Sequence, residues 1–227
     1  MESPDMEQYL RPTPFVDWEN REVFRFARES AGESTDPVEK AVKIYYAVRD
    51  GIRYDPYQLD LTVAGMRASA TLRNRRGWCV TKAVLLAACL RAMGVPARLG
   101  FADVRNHLST TRMREAMKTD VFYYHGYTSL FLNGQWVKAT PAFNVELCTK
   151  FRIRPLEFDG RSDSIYHPLD LDGNAHMEYL GYRGEFADVP LDRMIATFLK
   201  EYPVPEGTMI GGTGDFEKDV EEETSKG

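Results

Sequence analysis

Between Gly77 and Leu90 the chain reads Gly-Trp-Cys-Val-Thr-Lys-Ala-Val-Leu-Leu-Ala-Ala-Cys-Leu, which puts Cys79 in the first turn of an apolar helix. From Cys79 onward every residue forms helix well, and neither Gly nor Pro intervenes before Gly94. Gly94 is a natural helix stop, reinforced at once by Val95-Pro96. Gly77 gives a flexible entry, so the thiol is expected at the positive end of the helix dipole. Unpaired N–H groups there stabilise a thiolate and draw its pKa below the usual value of about 8.5. A buried structural cysteine suits the same position, since free cysteine is among the most buried residue types. Both readings stand on this segment alone.

A length of 227 residues fits one domain with appendages, and 43% hydrophobic content supplies a core. The formal charge is −5 with both signs interspersed, which offers no argument for nucleic acid or an anionic membrane, and neither is expected as partner. No apolar run approaches the roughly 18 residues that span a bilayer. Residues 1–11 lack the basic start and apolar middle of a secretory signal. Cys79, Cys89 and Cys148 are odd in number and irregular in spacing, as suits free thiols in a reducing cytoplasm. They and the histidines show no paired spacing of the zinc-site kind, so neither a metal nor a cofactor is expected.

Along the chain, residues 1–16 with Pro4, Pro12 and Pro14 read as an arm, and residues 17–202 as the domain. Asp17 is the expected cap of a first helix reaching about Glu29. Asp36-Pro37 starts a second, with Ala41, Val42, Tyr45 and Val48 as its core stripe and Gly51 as its stop. A short extended piece over 52–57 and a mixed loop over 58–76 precede the Cys79 helix. After it, 97–104 reads extended and 109–117 helical. Alternation through Tyr123, His125, Tyr127, Ser129 and Phe131, then Asn133-Gly134 and the return through Trp136, predicts a hairpin over 121–140. Residues 152–190, rich in charge and turn formers, read as a long excursion over the surface. A last helix is expected over 191–201, and 203–227 as a flexible acidic tail. Helices first and antiparallel strands after make an α+β layout.

Thiol chemistry on a carbonyl needs a base for the thiol proton, a group to orient that base, and donors for the oxyanion. Of His107, His125, His167 and His176, only His125 lies inside a strong strand, where the backbone fixes its ring. Gly126 beside it permits close approach of another backbone or of a substrate. A half-buried structural histidine would read the same way.

Two compound motifs carry a resemblance. Gly77-Trp78-Cys79 with Leu90-Arg91-Ala92-Met93-Gly94-Val95-Pro96-Ala97-Arg98, and then His125 through Trp136 to Thr140-Pro141, are similar in order and spacing to the core of transglutaminase-like proteins. The match covers residues 36–145. It implies a papain-like, transglutaminase-core fold, in which a Cys-bearing helix packs on an antiparallel sheet bearing His and Asp. It also implies Cys79 as nucleophile and His125 as general acid and base. Where the family has Asp, this chain has Thr140, whose hydroxyl can hold an imidazole tautomer but cannot stabilise imidazolium by charge. In a serine protease, replacing Asp by Asn in this role cost about 10⁴ in rate. Papain-like sites work with a neutral Asn there. Asn144 and Glu146 are alternative orienters. The Cys79 N–H is the expected oxyanion donor, with Asn74 as a side-chain candidate and Trp78 as a cleft wall.

The resulting expectation is thiol-dependent acyl chemistry on a protein, peptide or amide substrate. Its preferred form is cysteine peptidase or amidase hydrolysis through Cys79, His125 and Thr140. A protein-glutamine transglutaminase or deamidase is the alternative reaction, and a binding or scaffold module of the same fold is the alternative class.

Overall fold

A computed structural model describes residues 6–57, 59–107, 109–166, 169–203 and 214–224. The first half is helical: α1 (Arg21–Ala31), α2 (Pro37–Gly51), the short α3 (Val63–Met66) and α4 (Ala68–Asn74), then α5 (Cys79–Ala92). Asp36 caps α2 by accepting from Val38 N–H at 2.8 Å, with Pro37 in its first turn. Asp17 does not cap α1; Asn20 does, accepting from Glu22 and Val23. Asp17 instead takes the Ser69 N–H at 3.0 Å and the Ser69 hydroxyl, capping α4 from a distant part of the chain. The expected loop over 58–76 thus contains two helices.

Every residue of α5 except Ala92 is buried. A helix apolar on all sides needs neighbours on all sides; α1, α2 and α4 cover one side and the sheet covers the other. Its two cations are buried with backbone acceptors. Lys82 Nζ donates to the Arg49 and Ile52 carbonyls at the end of α2, and Arg91 donates to the carbonyls of Ala97 and Arg11.

Two short strands, β1 (Arg53–Tyr54) and β2 (Arg76–Gly77), pair in parallel and fix the entry to α5. The main sheet is antiparallel, in the order β5-β4-β3-β6, from β3 (Ala97–Asn106), β4 (Val121–Leu132), β5 (Gln135–Ala139) and β6 (Met177–Phe186). Asn133-Gly134 turns β4 into β5 with φ of 50° and 83°, the left-handed conformation that pair favours. The helix α6 (Thr111–Met117) bridges β3 and β4, α7 (Val145–Phe151) follows β5, and α8 (Leu191–Glu201) packs on β4. The α+β, papain-like layout is as the sequence implied.

Three expectations need correction. Residues 152–190 are not only surface loop, because β6 extends the sheet beyond β3. Within 203–227, residues 216–224 form α9 (Phe216–Thr224), whose Phe216 and Val220 are buried; 204–213 and 225–227 lie outside the described residues. The arm is packed too: Phe15 and Val16 join the core, and the Phe15 carbonyl accepts from Ala68 at 2.9 Å. Among the described residues, no helix is long and apolar enough to cross a membrane.

Candidate active site

Cys79 is the first residue of α5, after an extended Trp78 whose N–H is held by Thr81 Oγ1 at 3.0 Å. His125 comes from β4 by way of a bulge. The pairing runs from Ala102 with His125 to Val104 with Phe122, so β4 carries an extra residue there, and Tyr124 takes φ of 55°. Such a bulge re-aims the side chains beside it. Gly126 then lies directly on the first turn of α5. A Cβ there would stand 2.8 Å from Val80 Cα, a distance no side chain tolerates. Further along, the Thr128 hydroxyl donates to the Ala83 carbonyl at 2.9 Å and ties β4 to α5. The close approach read from Gly126 is therefore to the helix that carries Cys79.

In consequence Cys79 and His125 line one narrow cavity of about 40 Å³, together with Tyr54 and Trp78. Cys79 is 6% exposed and His125 4%. The N–H groups of Gly126, Val80 and Cys79 itself lower the thiol pKa, as a helix start should, but burial outweighs them and pushes it up to about 11. The expected depression of the thiol pKa is thus overturned by desolvation. Burial also draws His125 down to about 4, with a smaller like-charge contribution from His176. At neutral pH the pair rests as thiol and imidazole.

Thr140, just past β5, is 1% exposed, and its hydroxyl makes no hydrogen bond. Among the described residues no hydrogen bond joins it to His125, whose buried Nδ1 has no hydrogen-bond partner there either. The Thr140 hydroxyl instead lies near the Tyr179 phenol, which it makes slightly more acidic against a strong upward push from burial. Asn144 is committed elsewhere, its Oδ1 accepting from Tyr54 N–H at 3.2 Å, and Glu146 is exposed in the first turn of α7. Asn74 lines a separate open cleft of about 500 Å³ with Asp55, Asp60 and Arg76; Trp78 borders both spaces. His107 is exposed, and His167 lies outside the described residues.

Two residues near the imidazole escaped the sequence reading. The ring of Tyr166 meets His125 edge-on at 5.1 Å and His176 at 5.6 Å, and Tyr179 of β6 lies near Tyr166. The hydroxyls of Thr140 and Tyr179 lie near each other, and that of Ser164 lies near the Tyr45 phenol. Alternation of Met177, Tyr179 and Gly181 with Glu178, Leu180 and Tyr182 was the available signal for β6.

The sequence profile of the transglutaminase-like superfamily matches residues 25–141. No curated protein matches the chain. Among solved structures, a candidate cysteine protease from Cytophaga hutchinsonii is similar with a TM-score of 0.48 at 17% identity, covering 81% of this chain and 54% of its own. A candidate protease from Parabacteroides distasonis aligns with a TM-score of 0.39 at 17% identity, over 61% of this chain and 27% of its own. The chain thus spans about half the length of the first and about a quarter of the second. With the profile covering more than half of its residues, the chain belongs to the transglutaminase-like superfamily.

Proposed function

We propose that this protein performs thiol-dependent acyl chemistry on an amide, with Cys79 as nucleophile and His125 as general base and then general acid. One observation carries the reading: thiol and imidazole wall the same cavity, and the Gly126 N–H lies close enough to the sulfur to favour its anion. As Sγ attacks the carbonyl carbon, His125 takes the thiol proton. The Cys79 N–H is the proposed donor to the oxyanion. When the C–N bond breaks, His125 returns the proton to the leaving amine and a thioester remains on Cys79. His125 then takes a proton from water as the water attacks, and thiol and carboxylic acid are released.

The pKa directions define how this would run. An imidazole at about 4 is an available base at neutral pH, whereas a thiol at about 11 stores almost no thiolate. Proton transfer must therefore accompany attack rather than precede it. Hydrolysis, with water resolving the thioester, is the form we propose over transfer to a lysine. A reducing compartment such as the cytoplasm suits the three free cysteines.

Two observations favour a second reading, a binding module that keeps the fold without the chemistry. Among the described residues no carboxylate holds His125, and burial disfavours both charged forms of the pair. Profiling on a peptide-amide library separates the two. Release of amine or acid by the natural chain, lost in Cys79→Ala, supports the enzyme. Binding of peptides without turnover supports the module. Incorporation of a labelled amine into a glutamine peptide would replace hydrolysis by transfer.

A further inference from the structure

The cavity that holds Cys79 and His125 is otherwise walled mostly by apolar and aromatic side chains. Met113 and Met117 of α6, Phe122 of β4, Phe198 of α8, and Leu59 and Trp78 line it together with the tyrosines Tyr54, Tyr123 and Tyr202, and no Asp, Glu, Lys or Arg among the described residues does. Its 40 Å³ accommodates about three waters at ~10–15 Å³ each, roughly 90 Å³ of liquid volume and close to a leucine side chain. Across Trp78 and Leu59 lies the cleft of about 500 Å³ bordered by Asp55, Asp60 and Arg76. Cys79 lines the small, largely apolar space, and Trp78 and Leu59 separate it from the large, polar-lined cleft. A thioester formed on Cys79 keeps its acyl group tethered, so the small apolar space suits what stays. The larger polar cleft suits the leaving amine and the incoming water.

We propose that the small apolar cavity is the acyl-side specificity pocket, which receives an uncharged aliphatic side chain of about leucine's size from the residue whose carbonyl Cys79 attacks. This rests on the nucleophilic role given to Cys79 above. An aliphatic group entering the pocket exchanges water for a mostly apolar wall. A carboxylate or ammonium would be desolvated there with no partner of opposite charge, which is far more costly than the loss of one methylene. The two methionines set the depth, and their unbranched thioethers adjust to the occupant.

Peptidyl chloromethyl ketones identical except for a terminal Leu, Phe, Asp or Lys test this on the full chain, with labelling of Cys79 followed by intact and peptide mass. The pocket predicts Leu faster than Asp and Lys by on the order of 100-fold, with Phe slower than Leu. Met117→Ala is expected to raise the Phe-to-Leu ratio about tenfold. The series on the natural chain decides the matter even where that variant does not fold. Equal rates for all four reagents overturn the pocket and leave the nucleophile standing. Failure of all four while iodoacetamide still modifies Cys79 also overturns the pocket. Failure of iodoacetamide as well overturns the role of Cys79 itself.

Discussion

At the scale of single residues, desolvation dominates. A helix start, three N–H groups and an adjacent imidazole would ordinarily give an acidic thiol, yet burial holds Cys79 up at about 11 and His125 down at about 4. A carboxylate at position 140 should shift this balance, since it favours imidazolium, and imidazolium favours thiolate. Thr140→Asp is therefore expected to speed alkylation of Cys79 at pH 7 at least tenfold, measured by mass spectrometry against Cys89 as internal reference. An unchanged rate would mean that position 140 does not address the imidazole. His125 also sets a pH dependence of stability. Its folded pKa of about 4 lies below the ordinary 6.5, so on acidification the unfolded chain takes the proton first. Stability is fully present above about pH 6.5 and falls by about 3 kcal/mol as pH approaches 4. Urea unfolding of the natural chain and of His125→Gln at pH 7 and pH 4 checks this; the variant should lose distinctly less.

At the scale of elements, α5 is the hub, and two contacts fix it. The Cβ of Gly126→Ala would press on the Val80 backbone, which cannot yield as a flexible side chain does. The expected cost is about 1–3 kcal/mol in chemical denaturation, with Cys79 and His125 pushed apart. Lys82→Met leaves the Arg49 and Ile52 carbonyls without their buried donor, an expected loss of about 1–3 kcal/mol by the same assay. The sequence made α5, α2 and the β4–β5 hairpin legible because each carries its own local punctuation: Gly77 and Gly94, Asp36-Pro37 and Gly51, Asn133-Gly134. What escaped depends on distant partners. Helix α4 has no cap of its own and takes Asp17 from elsewhere in the chain. Strand β6 hides its alternation among glycines and charges. Helix α9 shows an acidic surface that masks Phe216 and Val220. That Cys79 and His125 line one cavity was legible because two motifs carried both residues. The environment of the imidazole was not, because Tyr166 and His176 arrive from a segment with no motif.

At the scale of the whole molecule, the chain closes on itself through α9. Phe216 packs edge-on against Tyr54 at 5.6 Å and Tyr57 at 5.3 Å, while Glu217 pairs with Arg53 and Lys150, and Asp219 with Arg112 at 2.6 Å. Since Tyr54 also walls the Cys79 cavity, the end of the chain braces the site from outside. Phe216→Ala should cost about 3–5 kcal/mol in thermal or urea unfolding, a loss the surrounding ion pairs cannot offset. The two halves of the molecule, helices with the thiol and sheet with the imidazole, meet at Cys79 and His125. The most direct test of that meeting is intact-mass detection of an acyl group on the protein after exposure to a p-nitrophenyl ester of an aliphatic acid. The account predicts acylation at Cys79, absent in Cys79→Ala and at least 100-fold slower in His125→Ala. Acylation at another residue, or at an equal rate without the imidazole, would contradict it.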